Sequence, residues 1–208
     1  MFCNLLKQNF KNSYRNISKP IVNLVFFVLI AFSLLLFSQE LLQKNTILPI
    51  IRIVIWFSLL FSIFYQSVSF VKEDYIDGTI EQMIIMCENL ECYILAKIIV
   101  FWTEFCLPII ISAIFLMIIF QFSQQQIFKN SILLTISTIA ICFISCLCAS
   151  FDVISKRASL LVILALPLLI PVIIVAIIGN IQILMAISII LSIISLFSCA
   201  KIIRIISE

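Results

Sequence analysis

The chain has 208 residues, 64% of them apolar and 11% charged, with two glycines, eight cysteines, no histidine, a net charge of +3 and a mean hydropathy of +1.30. Soluble domains are about 45–50% apolar and about 25% charged, so this chain cannot cover its apolar side chains with polar surface, and lipid must be its solvent. No G-x-x-x-x-G-K-[ST] or G-x-G-x-x-G run exists, and the lack of histidine excludes His-based triads, H-E-x-x-H zinc sites and imidazole ligation of haem iron.

A spanning helix needs about 20 mostly apolar residues. Charges and polar clusters divide the chain into six such runs: 20–38, 49–71, 98–120, 131–151, 158–178 and 183–200. The first is not expected to be a cleaved signal, because Phe37-Ser38-Gln39 offers no small-x-small site and five runs follow. Four residues, Gly179-Asn180-Ile181-Gln182, divide the last two runs, which leaves a re-entrant hairpin as the alternative to two separate helices. The runs are continuously apolar and lack the alternation of a membrane barrel, so the fold is expected to be all-α, a single transmembrane domain over 1–208.

Lysine and arginine set the orientation. With six spans, one side receives Lys7, Lys11, Arg15, Lys19, Lys72, Lys97, Lys156, Arg157, Lys201 and Arg204, and the other only Lys44, Arg52 and Lys129. Both termini are therefore expected on the cytoplasmic side. Lys7, Lys11 and Arg15 recur every four residues beside Leu6, Phe10 and Tyr14, which suits a basic amphipathic helix on the inner leaflet.

Cys106, Cys142, Cys146, Cys148 and Cys199 fall in spans, and Cys3, Cys87 and Cys92 on the cytoplasmic side. None falls in an outer loop, their spacing matches no zinc or iron–sulfur pattern, and buried cysteine packs as a small apolar residue. Glu104 is an intramembrane carboxylate. It is either a functional group, a group wetted near the interface, or a protonated acid bonded between helices. Pro108 follows it by four residues, and Pro167 and Pro171 lie one turn apart in the fifth run. Each proline removes a backbone bond, so kinked or broken helices are expected there.

The segment 72–97 is the longest polar stretch. It carries six carboxylates (Glu73, Asp74, Asp77, Glu81, Glu88, Glu91) against two lysines, a net charge of −4. Asp77-Gly78 reads as a turn, and Thr79-Ile-Glu-Gln82 fits a capping box with Thr79 as cap. Ile80, Met83, Ile84, Cys87, Leu90 and Ile94 then follow at helical spacing. A lipid-bound helix on the anionic inner leaflet would be basic; this one is acidic, so its polar face suits a protein partner. The plainer alternative is a solvated connector between two spans.

The stretch Lys72-Glu-Asp-Tyr-Ile-Asp-Gly-Thr-Ile-Glu-Gln82 resembles the [RK]-x-D-x-x-D-G-[ST]-[LI]-E-Q segment of the haem exporter protein B (CcmB) family. The likeness continues through Leu95-Ala-Lys97, Trp102, Leu107-Pro108, Lys156-Arg157 and the Leu-Pro-Leu-Leu-Ile-Pro stretch ending at Pro171. It departs at Met86-Cys-Glu-Asn89, where many members have a Pro-Leu-Pro-like patch, and Glu104 has no counterpart in the family pattern.

The resemblance implies an ABC-2-like permease subunit of the bacterial cytochrome c maturation complex, in the inner membrane, with a coupling helix between spans 2 and 3. It implies a separate cytoplasmic ATPase, a haem-handling membrane subunit, a small accessory membrane protein and a periplasmic haem chaperone as partners. ATP would then act through the partner, with haem as cargo of the complex and no cofactor, metal or nucleic acid bound by this chain. Asp74, Asp77, Gly78, Thr79, Glu81, Gln82 and Glu88 would meet the ATPase, while Pro108, Pro167 and Pro171 would let helices bend. The complex would either export haem or release loaded chaperone, and the lack of histidine favours the second. Two other classes stay open: an ion- or proton-coupled carrier using Glu104, and an export permease for another substrate.

Overall fold

The computed structural model describes residues 6, 9–10, 18–39, 47–67, 74–80, 82, 90–155 and 159–207. Among the described residues there are six long helices and no strand. They are α1 (Ser18–Gln39), α2 (Ile47–Ser67), α3 (Leu90–Ile119), α4 (Gln124–Ser155), α5 (Ser159–Ile178) and α6 (Ile181–Ser207). The six apolar runs each find a helix, and five of the six helices begin ahead of their runs. Hydropathy stops at a charge, whereas backbone hydrogen bonding continues wherever the charge finds a partner or reaches water. Thus α3 begins eight residues before the third run, taking Leu90 and Ile94 out of the polar segment to which their spacing assigned them.

Three helices contain stretches long and apolar enough to cross a membrane: Leu90–Ile119, Gln124–Asp152 and Ile181–Arg204. Shorter apolar stretches occur in α1, α2 and α5, at Ser18–Ser33, Pro49–Ile63 and Ala165–Ile178. At 32 residues and about 1.5 Å per residue, α4 is longer than a hydrocarbon core of about 30 Å requires. It is also the central helix, packing against α2, α3, α5 and α6, while α1 lies on α2 and touches α3. Small side chains allow that close approach. Along α4, Ser137 and Ser150 are buried and return their hydroxyls to the carbonyls of Leu133 and Cys146. On α1, Ile21, Val25, Leu29, Phe32 and Leu36 are exposed, as are Ile183, Ile190, Ile194 and Phe197 on α6. Apolar faces of that extent mark a membrane-facing surface.

The joints between helices carry clear capping chemistry. After α3, Gln121 takes a left-handed φ of +56°, and Phe122 N–H returns to the Met117 carbonyl at 3.1 Å, closing the helix as a Schellman turn. Ser123 then opens α4: its hydroxyl accepts from Gln126 N–H and the Gln126 side chain accepts from Ser123 N–H, both at 3.4 Å. This reciprocal pair is a capping box, and it moves the start of α4 seven residues ahead of the fourth run. At the next hairpin, Gly179 (φ +82°) ends α5 and Asn180 caps α6, its side chain accepting from Ile183 N–H at 3.3 Å. The last two runs are therefore two helices joined by a two-residue turn.

The prolines leave their helices continuous. Pro108 cannot donate to the carbonyl of Glu104, and the helix widens just before it into a π-turn, Trp102–Cys106, with Leu107 N–H reaching Trp102 five residues back. α5 is not broken: it runs continuously through Pro167 and Pro171. Four residues apart, the two prolines share one face, and both are exposed. The carbonyls of Ile163 and Pro167 lose their intrahelical donors.

Candidate functional site

Residues 74–76 form a helical turn that ends at Asp77-Gly78, where Gly78 N–H bonds the Tyr75 carbonyl at 3.3 Å. Gly78 has φ +68°, a left-handed conformation that only glycine adopts without strain. The expected turn is thus present. The cap lies one residue earlier than the capping-box pattern implied, because Gln82 N–H bonds the carbonyl of Gly78, making Gly78 the cap and Thr79 the first residue of the new helical turn. Glu81 and Glu88 lie outside the described residues, as do Met83, Ile84, Cys87 and the basic stripe Lys7, Lys11 and Arg15.

The segment is fastened to the bundle at both ends of the turn. Asp74 Oδ2 accepts hydrogen bonds from the Tyr93 hydroxyl and the Lys97 ammonium, both on α3. The Asp74 and Lys97 side chains are only 24% and 19% exposed, and Tyr93 is buried. Charge-assisted bonds of this kind are shorter and stronger than neutral ones. Six residues on, Ile80 is buried in the apolar core. Between the two anchors Tyr75, Ile76 and Asp77 are exposed, Ile76 at 70%, and among the described residues nothing lies within 4 Å of the place a Gly78 side chain would occupy.

The residues assigned from sequence therefore divide. Asp77, Gly78, Thr79 and Gln82 surround an outward turn, with Asp77 and Gln82 exposed. Asp74 is turned inward. Two participants, Tyr93 and Lys97, were not assigned from sequence. Their four-residue spacing, which places them on one face of α3, was the signal available. Ile76 was missed because an apolar residue in an acidic segment reads as a buried one.

Glu104 sits half-buried in the π-turn of α3. On the same turn Trp102 Nε1–H donates to Thr138 Oγ1 of α4 at 3.0 Å, and Phe101 and Phe105 stack with ring centroids 4.8 Å apart. The described cysteines are free, and four of them pair across helices. Cys106 of α3 meets Cys142 of α4 at 3.3 Å, and Cys146 of α4 meets Cys199 of α6 at 3.5 Å, with the Ser150 hydroxyl 2.9 Å from Cys199. No group of three or more metal-ligating side chains occurs among the described residues.

An all-helical fold with three helices long and apolar enough to cross a membrane is consistent with the family resembled. The family model described as CcmB protein matches residues 1–206. The chain belongs to the CcmB family. CcmB proteins are permease-type membrane subunits of the haem export system for cytochrome c maturation, so this chain is a membrane component of haem transport and cytochrome c biogenesis, within a multi-subunit complex. No curated protein matches the chain.

Proposed function

We propose that this CcmB chain is the permease subunit of an ABC-type complex in the bacterial inner membrane, with both termini cytoplasmic and all six helices spanning. A cytoplasmic ATPase subunit docks on the turn at residues 75–78. The complex also holds a haem-handling membrane subunit and a small accessory membrane protein, and serves a periplasmic haem chaperone. The observation that carries this reading is the turn itself: Tyr75, Ile76 and Asp77 are exposed between two fixed anchors, on a chain of the CcmB family. A partner meeting it finds an apolar side chain beside a carboxylate, and Gly78 leaves room for close backbone approach. ATP binding would close the ATPase domains and press on the turn, and the membrane helices would respond.

The test is charge reversal at Asp77 together with Glu81. The double Lys variant is expected to lose co-purification of the ATPase subunit and to abolish formation of c-type cytochromes. Intact capture and maturation would refute the docking assignment.

A second reading rests on Glu104, whose place in a π-turn is of the kind that recurs at functional sites. A proton- or ion-coupled carrier predicts transport into vesicles holding this chain without any ATPase, abolished by Glu104→Gln.

A further inference from the structure

The contacts at Asp74 give the docking turn a mechanical route into the membrane helices. A load applied at residues 75–78 leaves the segment through its two anchors, and these differ in kind. Ile80 is held by apolar packing, which is non-directional and lets surfaces slide. Asp74 is held by two charge-assisted hydrogen bonds to a single carboxylate oxygen, which resist displacement in direction as well as distance. Tyr93 and Lys97 are one turn apart on one face at the start of α3, so both contacts enter the same helix at the same place. That helix packs against α6 and α4 and is tied to α4 through Trp102–Thr138 and Cys106–Cys142.

We infer that Asp74, Tyr93 and Lys97 form a strut that converts movement of the cytoplasmic turn into movement of α3, and that Asp74 is a positioning residue outside the ATPase contact surface. This rests on the docking reading above, and the two fail differently. The experiment uses the tagged full chain, co-expressed with the ATPase subunit of its complex in a host lacking its own copy of this subunit. Membrane accumulation, ATPase capture and c-type cytochrome yield are measured for Asp74→Asn, Lys97→Met, Tyr93→Phe and the exchange Asp74→Lys with Lys97→Asp.

Asp74→Asn and Lys97→Met are expected to capture the ATPase at the wild-type level yet lower cytochrome yield by about tenfold, a loss of coupling without loss of binding. Tyr93→Phe keeps the ring and the ion pair and is expected to lower yield by about threefold, and the exchange to recover at least about a third of the wild-type yield. Wild-type yield in Asp74→Asn and Lys97→Met overturns the strut. Loss of ATPase capture in them overturns it too, by returning Asp74 to the contact surface. An exchange no better than the single variants shows that the charges do not act as a pair. Should the charge variants fail to accumulate in the membrane, Tyr93→Phe decides: a reduced yield with full capture supports the strut, and an unchanged yield overturns it. Failure of the docking reading shows instead as ATPase capture that survives lysines at positions 77 and 81.

Discussion

Two of the left-handed turns among the described residues rest on glycine, and their surroundings are opposite. Gly78 has φ +68°, and no described residue lies within 4 Å of where its side chain would stand. Gly179 has φ +82°, and a Cβ there would come within 3.3 Å of the Lys129 ammonium and 3.9 Å of Leu133. The turn between α5 and α6 needs glycine for its backbone and for its neighbours, and the Lys129 charge lies at the carbonyl end of α5, where the helix dipole favours a cation. The turn before α3 needs glycine for its backbone alone. The turn after α5 is packed against α4 and acts as a structural joint, whereas the turn before α3 is fixed at its ends and exposed at its tip, the form the proposed docking site requires.

The largest effect expected from breaking this contrast is at the crowded turn. Gly179→Val puts a branched side chain in the left-handed region and against Lys129, and should cost about 3 kcal/mol of stability. Thermal unfolding of the purified chain in detergent checks it. Gly78→Ala should cost only about 1–2 kcal/mol by the same measurement, since it meets strain but no neighbour. Gly78→Asn should recover most of that, because Asn tolerates the left-handed region, whereas Gly179→Asn should not recover stability at the crowded turn. The smallest effect is Lys129→Met, at about 0.5 kcal/mol from the lost interaction with the end of α5. If Gly78→Ala proved as damaging to stability as Gly179→Val, the open turn would have to be packed against something in the isolated chain.

Much of the fold was legible residue by residue. Hydropathy located the six helices because each apolar run concerns only its own neighbours in sequence, and Gly78 and Gly179 announced turns because no other residue takes those angles freely. The ends of the helices were legible only in part. Ser123-x-x-Gln126 is a capping signal in plain view, but it precedes Lys129, and a reading by hydropathy began after that charge. At Thr79 the same kind of pattern misled by one residue, since the left-handed Gly78 moved the first helical carbonyl to itself. The prolines announced irregularity without its form: Pro108 widened its helix into a π-turn, while α5 carried two prolines unbroken on an exposed face.

Composition and local pattern alone thus determined that the chain is a membrane protein, that it is helical, that its sequence carries neither glycine-rich nucleotide motif, and that its acidic segment opens on a glycine turn. The matched span of 1–206 agrees with the family to which those patterns pointed. Only the tertiary structure decided the direction of the described side chains in that segment. Asp74 and Asp77 are equally charged and three residues apart, yet one is held by Tyr93 and Lys97 and the other faces outward. The reason is physical: helix and turn formation follow from interactions a few residues apart, but a carboxylate beside a membrane bundle goes where a distant helix supplies its proton donors.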